Sequence, residues 1–134
     1  GVTRIVDYKT GTVAEKITSI EDLFAGNRKK DTDAWLQTLL YCEAYLMNNK
    51  GAVVRPSVYK VRKLTSGSDN DRLKIGVNSK SEISVENYQS VRDEFIKNLN
   101  KVIAEIFSEN EPFIMTDDIR GKCSYCPYRR LCIR

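Results

Sequence analysis

Residues 5–11 of the chain read IVDYKTG: two β-branched apolar residues, an acid and a base separated by one tyrosine, and a Thr-Gly pair. Together with the residues before them they form VTRIVDYK over 2–9, which reads as a strand. Strand side chains alternate with period two, so Val2, Arg4, Val6 and Tyr8 share one face and Thr3, Ile5, Asp7 and Lys9 the other. Asp7 and Lys9 therefore point the same way at the strand's end, where Gly11 supplies the turn. Chemistry gives this pairing two readings. A carboxylate is a hard oxygen ligand suited to Mg²⁺, and a lysine two residues on can orient an attacking water or offset developing negative charge. A surface ion pair at a strand end is the plainer alternative.

Beyond Gly11, residues 12–30 read as a connecting loop with a short helical turn at SIEDLFAG, closing on the basic triplet Arg28, Lys29 and Lys30. The segment 31–49, DTDAWLQTLLYCEAYLMNN, predicts a helix with Asp31 and Asp33 at its start and Gly51 as its stop. Trp35, Leu39, Cys42 and Leu46 fall on one apolar stripe, while Gln37 and Tyr41 stand one turn apart on another face. Residues 52–64, AVVRPSVYKVRKL, predict a strand in which Pro56 marks an edge or a bulge. SGSDND at 66–71 predicts a loop, and RLKIGV at 72–77 the hairpin partner of the preceding strand. From Ser84 the spacing of Tyr88, Val91, Phe95, Leu99, Val102 and Ile106 predicts a long helix ending before Pro112. The order of elements is a mixed α/β plan, a sheet covered by helices.

The chain has 134 residues, 41% of them hydrophobic and 30% charged, which suits one soluble domain. It divides on paper into a core over 1–115 and a cysteine-rich basic tail over 116–134. The net charge is +4, and Arg120, Lys122, Arg129, Arg130 and Arg134 concentrate it in a stretch without acids, the composition of a phosphate-binding footprint. No run of about twenty apolar residues is present, so no transmembrane helix and no membrane partner is expected, and no secretory signal is visible. The absence of an initiator methionine and the immediate entry into a strand lead us to expect a piece of a larger protein, truncated on its N-terminal side.

The tail carries Cys123, Cys126 and Cys132 in a C-x2-C-x5-C pattern, with Pro127 after the second cysteine. Three thiols this close point to ligation of a metal or a cluster, because short loops bring them together and ligation offsets the cost of ordering. Free thiols are the alternative, and a disulfide fits a cytoplasmic protein poorly. A four-ligand site needs one more donor, and the chain has no histidine. Cys42 lies on the apolar stripe and is expected in the core.

The strand IVDYKTG resembles the core motif of the PD-(D/E)XK nuclease superfamily, and QTLLY at 37–41 resembles the Q-x-x-x-Y motif of its RecB-like branch. The cysteine tail is similar to that of AddB-type helicase-nucleases, where three cysteines after the nuclease core and one before it hold a 4Fe-4S cluster. The resemblance implies a restriction-endonuclease-like fold with a mixed sheet flanked by helices, and a metal-dependent deoxyribonuclease acting on DNA ends or single strands. It implies catalytic roles for Asp7, Lys9, Gln37 and Tyr41, with Mg²⁺ or Mn²⁺ held by Asp7 and the backbone carbonyl of Tyr8. It implies DNA contacts from Gln37, Tyr41, Arg129 and Arg130, cluster ligation by Cys123, Cys126 and Cys132, and a helicase motor as partner in DNA repair and recombination. The family's first acidic ligand and fourth cysteine would precede residue 1, so this segment alone is expected to be weakly active or inactive and its cluster incomplete. Two alternatives stand beside this reading: a non-catalytic DNA-binding or scaffold module with a degenerate nuclease fold, and a zinc-binding interaction module.

Overall fold

A computed structural model describes residues 1–26, 28–61, 71–78 and 80–132. It forms two compact units, Gly1–Ile103 and Ala104–Arg134. In the first unit, strand β1 (Val2–Lys9) pairs in parallel with β3 (Val53–Lys60), Val2 opposite Val53 through Lys9 opposite Lys60. A parallel pair needs a long crossover, and helix α1 (Asp33–Asn48) supplies it, packing on both strands. A second small sheet has β4 (Lys74–Ile75) at its centre, parallel to β2 (Lys16–Ile17) and antiparallel to β5 (Ile83–Ser84). Helix α2 (Gln89–Ile106) follows and runs into the second unit.

The predicted apolar stripe explains the docking of α1. Trp35, Leu39 and Cys42 are fully buried against a core that includes Leu23, Val54, Val58, Leu73, Tyr88 and Phe95. Burying side chains of this size contributes about 1.5–3 kcal/mol each. Trp35 Nε1 donates to the Ala14 carbonyl at 2.8 Å and Ala14 N donates to the Asp31 carbonyl at 2.8 Å, so the β1–α1 connection is pinned at both sides of Ala14. Burial pushes the Cys42 thiol up to about 12, with the neighbouring Glu43 charge adding to it, which suits a core residue and not a ligand.

Several expectations need correction. The helix begins at Asp33, because residues 30–32 form a 3-10 turn in which the Thr32 hydroxyl bonds back to the Lys29 carbonyl. The predicted hairpin partner at 72–77 contributes only one bridge, Arg72 to Ser57, before its Lys74–Ile75 segment joins the other sheet. Pro56 causes no bulge. Its missing N–H falls between Val54 N, which faces Gln89 Oε1, and Val58 N, which donates to the Asp71 carbonyl, so the gap lies on the side away from β1. The helix expected from Ser84 starts at Gln89, since Val85 N pairs with the Leu73 carbonyl and Tyr88 N with the Val54 carbonyl. Most of the loop expected at 66–71 lies outside the described residues. Among the described residues no helix is long and apolar enough to cross a membrane.

In the second unit a π-helical turn, Ile119–Cys123, is capped by the Asp118 carboxylate, which accepts from Gly121 N at 2.8 Å. Successive turns follow through Cys126 and Tyr128.

A polar clamp joins the two helices. Arg92 of α2 donates through Nε and Nη2 to Glu43 of α1 at 2.8 and 2.6 Å, and Tyr88 Oη donates to the same carboxylate at 3.0 Å. The Arg92 hydrogen bonds, with help from Tyr88, hold the Glu43 carboxyl below its ordinary value. A carboxyl lowered by folding adds stability above its unfolded pKa and loses that contribution as pH falls through the folded one. Glu43→Gln is therefore expected to lower the melting temperature at pH 7, with the gap to wild type narrowing as pH falls below about 4. A gap that stays constant from pH 7 to pH 3 in calorimetric melts would contradict the clamp.

Candidate active site

The register of β1 decides which side chains meet. Thr3, Ile5, Asp7 and Lys9 face α1, and the helix turns Gln37 and Tyr41 toward the same strand end. Lys9 Nζ lies 3.0 Å from Asp7 Oδ2 and donates to Gln37 Oε1 at 2.6 Å. Gln37 Nε2 in turn donates to Tyr41 Oη at 2.5 Å, the i to i+4 contact of one helical turn. The four residues singled out by the sequence thus form one continuous polar chain, Asp7, Lys9, Gln37, Tyr41.

The direction of each bond follows from donor chemistry. Lysine only donates, so the Gln37 amide presents its oxygen to Lys9 and its NH₂ to Tyr41. The Tyr41 oxygen then accepts, which leaves its own O–H free to donate outward, and Tyr41 is 46% exposed. Lys9 has three N–H donors, of which Gln37 accepts one, while Asp7 meets the ammonium as an ion pair.

Asp7 is the unusual member. Its Oδ2 is buried and has no hydrogen-bond partner among the described residues, since Lys9 Nζ sits at ion-pair distance but outside hydrogen-bond geometry. A buried carboxylate oxygen with unused lone pairs is costly unless a cation completes it. Its hardness fits Mg²⁺, which takes one or two carboxylates together with water and phosphate. Among the described residues no group of three or more Cys, Asp or Glu side chains converges as a metal site, so Asp7 is at most one ligand of such a centre. The backbone carbonyl of Tyr8 sits next to Asp7 in the strand, whereas the Tyr8 ring is on the opposite face of the sheet.

One residue of this face was not singled out. Lys60 lies directly opposite Lys9 on β3, and its ammonium approaches Glu15 at 3.7 Å. The parallel register, which sequence patterning does not reveal, brings this second cation to the site. Arg129 and Arg130 are exposed in the second unit. Cys123, Cys126 and Cys132 are half-buried free thiols there. They are suitable soft donors, and among the described residues no preassembled group of three or more metal-ligating side chains is present.

Comparison with known proteins gives a single kind of match. No curated protein and no solved structure matches the chain. A family profile does match, over residues 1–133, and it is that of the PD-(D/E)XK nuclease superfamily. The mixed α/β fold, with a parallel strand pair and a mixed sheet flanked by helices, agrees with the restriction-endonuclease-like architecture of that group. With a match that spans nearly every residue and an Asp-x-Lys strand end facing a helix, the chain belongs to the PD-(D/E)XK nuclease superfamily.

Proposed function

We propose that the protein is a metal-dependent deoxyribonuclease whose active centre is the chain Asp7, Lys9, Gln37 and Tyr41. The observation that carries this reading is the pair of contacts Lys9 Nζ to Gln37 Oε1 and Gln37 Nε2 to Tyr41 Oη, beside the unsatisfied Asp7 Oδ2. Bound Mg²⁺ or Mn²⁺ supplies a Lewis acid that polarises the phosphate and acidifies a water. Asp7 and the Tyr8 carbonyl would hold the ion. Lys9, fixed between Asp7 and Gln37, points its remaining N–H at the attacking water or at the charge developing on phosphorus-bound oxygen. Tyr41 donates its O–H to a backbone phosphate oxygen, oriented by Gln37.

With Asp7 as the one carboxylate of the Asp-x-Lys motif, the 134-residue chain is expected to hold Mg²⁺ weakly and to cleave poorly. The wider context follows the same reading: exonucleolytic action in a cytoplasmic helicase-nuclease of DNA repair and recombination, with a helicase motor as partner. Arg129 and Arg130 add salt-dependent phosphate attraction. That no group of three or more Cys, Asp or Glu side chains converges among the described residues leaves one rival, a DNA-binding module without chemistry.

In the full-length protein with Mg²⁺, Lys9→Ala and Asp7→Asn are each expected to lower DNA cleavage by about 100-fold or more while leaving the melting temperature within a few degrees. Equal cleavage by wild type and Lys9→Ala would transfer the chemistry elsewhere. DNA binding with no cleavage by wild type in any divalent metal would establish the rival.

The three tail cysteines are proposed to ligate a 4Fe-4S cluster in the intact protein, on the strength of their donor type and C-x2-C-x5-C spacing. No step of the reaction passes through it. Anaerobically purified full-length protein is expected to be brown with a broad absorption near about 400 nm, lost in Cys126→Ala. A colourless protein with stoichiometric zinc would identify a zinc site instead.

A further inference from the structure

The last pair in the parallel register joins two cations. Lys9 of β1 and Lys60 of β3 stand directly opposite each other. Paired strands run about 4.8 Å apart, so like charges at such a position repel. The preceding pair, Tyr8 and Tyr59, stacks on the reverse face with ring centroids 5.6 Å apart, which leaves both lysines on the face turned to α1. There the two ammoniums diverge. Lys9 Nζ donates to Gln37 Oε1 on the helix, while Lys60 Nζ approaches Glu15 Oε1 of the β1–α1 connection at 3.7 Å. On the far edge of β3, Val58 N donates to the Asp71 carbonyl and Ser57 bridges to Arg72, so Lys60 ends a strand that is flanked on both edges.

The Lys60 side chain is only 10% exposed, so its ammonium is largely withdrawn from water. Two ammoniums side by side, one of them desolvated, cost stability and suit a polyanion. The contact with Glu15 is a loose one: it exceeds hydrogen-bond length, and the Glu15 side chain is 55% exposed, where water screens the attraction. An incoming phosphate oxygen can replace it. Successive phosphates along a DNA strand carry separate charges, and the lysines diverge from one strand end, Lys9 toward α1 and Lys60 toward the connection. Each ammonium therefore meets a phosphate of its own.

We infer that Lys60 is a phosphate-binding residue that exchanges its ion pair with Glu15 for a DNA backbone phosphate neighbouring the one at Lys9. The exchange breaks no covalent bond and moves no proton. Glu15, already half in water, becomes fully hydrated as the phosphate oxygen takes its place. Its carboxylate competes with the phosphate for one ammonium, so removing that charge favours DNA. The inference rests on the nuclease reading for its substrate, and its test is a binding measurement independent of cleavage.

Fluorescence anisotropy with the full-length protein in EDTA would follow binding of a labelled oligo-dT across a series of KCl concentrations. Lys60→Met, which removes the charge and keeps an unbranched side chain, is expected to weaken binding about fivefold at low salt. It is also expected to reduce the slope of log Kd against log salt by about 0.7, the value of one phosphate contact on a single strand. Lys60→Arg, which keeps the charge, is expected to retain the wild-type slope. Glu15→Gln is expected to tighten binding about twofold in the wild-type background and to change nothing beside Lys60→Met. Thermal melts identify any variant that has lost its fold. An unchanged salt slope in a folded Lys60→Met, or a Glu15→Gln effect of equal size in both backgrounds, would overturn the exchange. Should Lys60→Met unfold, Glu15→Gln, at an exposed side chain, decides alone: affinity equal to or below that of wild type overturns it. None of these outcomes bears on whether Lys9 and Asp7 cut DNA, so the two readings fail separately.

Discussion

In-register parallel pairing of β1 with β3 is the constraint from which the rest of the molecule follows. Period-two alternation makes a strand two-faced, and a slip of one residue would exchange the faces. The observed register puts Val54, Pro56 and Val58 beside Ile5 and Asp7 under α1, which seals the apolar part of that face. At the strand ends the same face turns polar, with Lys9 opposite Lys60 and Asp7 just inside them. Because parallel strands need a crossover, α1 must return over this face, and its first turns carry Gln37 to Lys9.

The polar chain at the strand end is built in the wrong place for stability. Asp7 is taken largely out of water beside a single ammonium that does not complete its hydrogen bonding. A pair held this way gains little net energy against its desolvation cost, so a purely structural role explains it poorly. A site that awaits a divalent cation and a phosphate explains it better, because the missing partners then arrive with the substrate. Stability comes from elsewhere, from the buried Trp35, Leu39, Tyr88 and Phe95 and from the Glu43–Arg92 clamp that ties α2 to α1.

What could be read in the sequence was what local pattern controls. The strand 2–9 stands as predicted because it is rich in β-branched residues, Val2, Thr3, Ile5 and Val6, and a Thr-Gly turn ends it. The stripe Trp35, Leu39 and Cys42 lies in the core because helical period alone sets it. Gln37 and Tyr41 meet because they are one turn apart. What could not be read depends on pairing between distant segments. The two-residue strands at 16–17, 74–75 and 83–84 exist only through their pairing with one another. Segment 72–77 looks like a hairpin partner, yet it divides between a bridge to Ser57 and the second sheet. The neighbourhoods of Lys60 and of the Tyr8–Tyr59 stack need the parallel register, which no local pattern encodes.

The central claim is that Lys9, Gln37 and Tyr41 act as one hydrogen-bonded unit, and a double-mutant cycle on single-turnover cleavage by the full-length protein tests it most directly. If Gln37 is what orients Tyr41, Tyr41→Phe should slow cleavage in the wild-type background but by less than about twofold in a Gln37→Ala background. Losses that simply multiply in the double variant would mean that the two side chains act independently and would contradict the account.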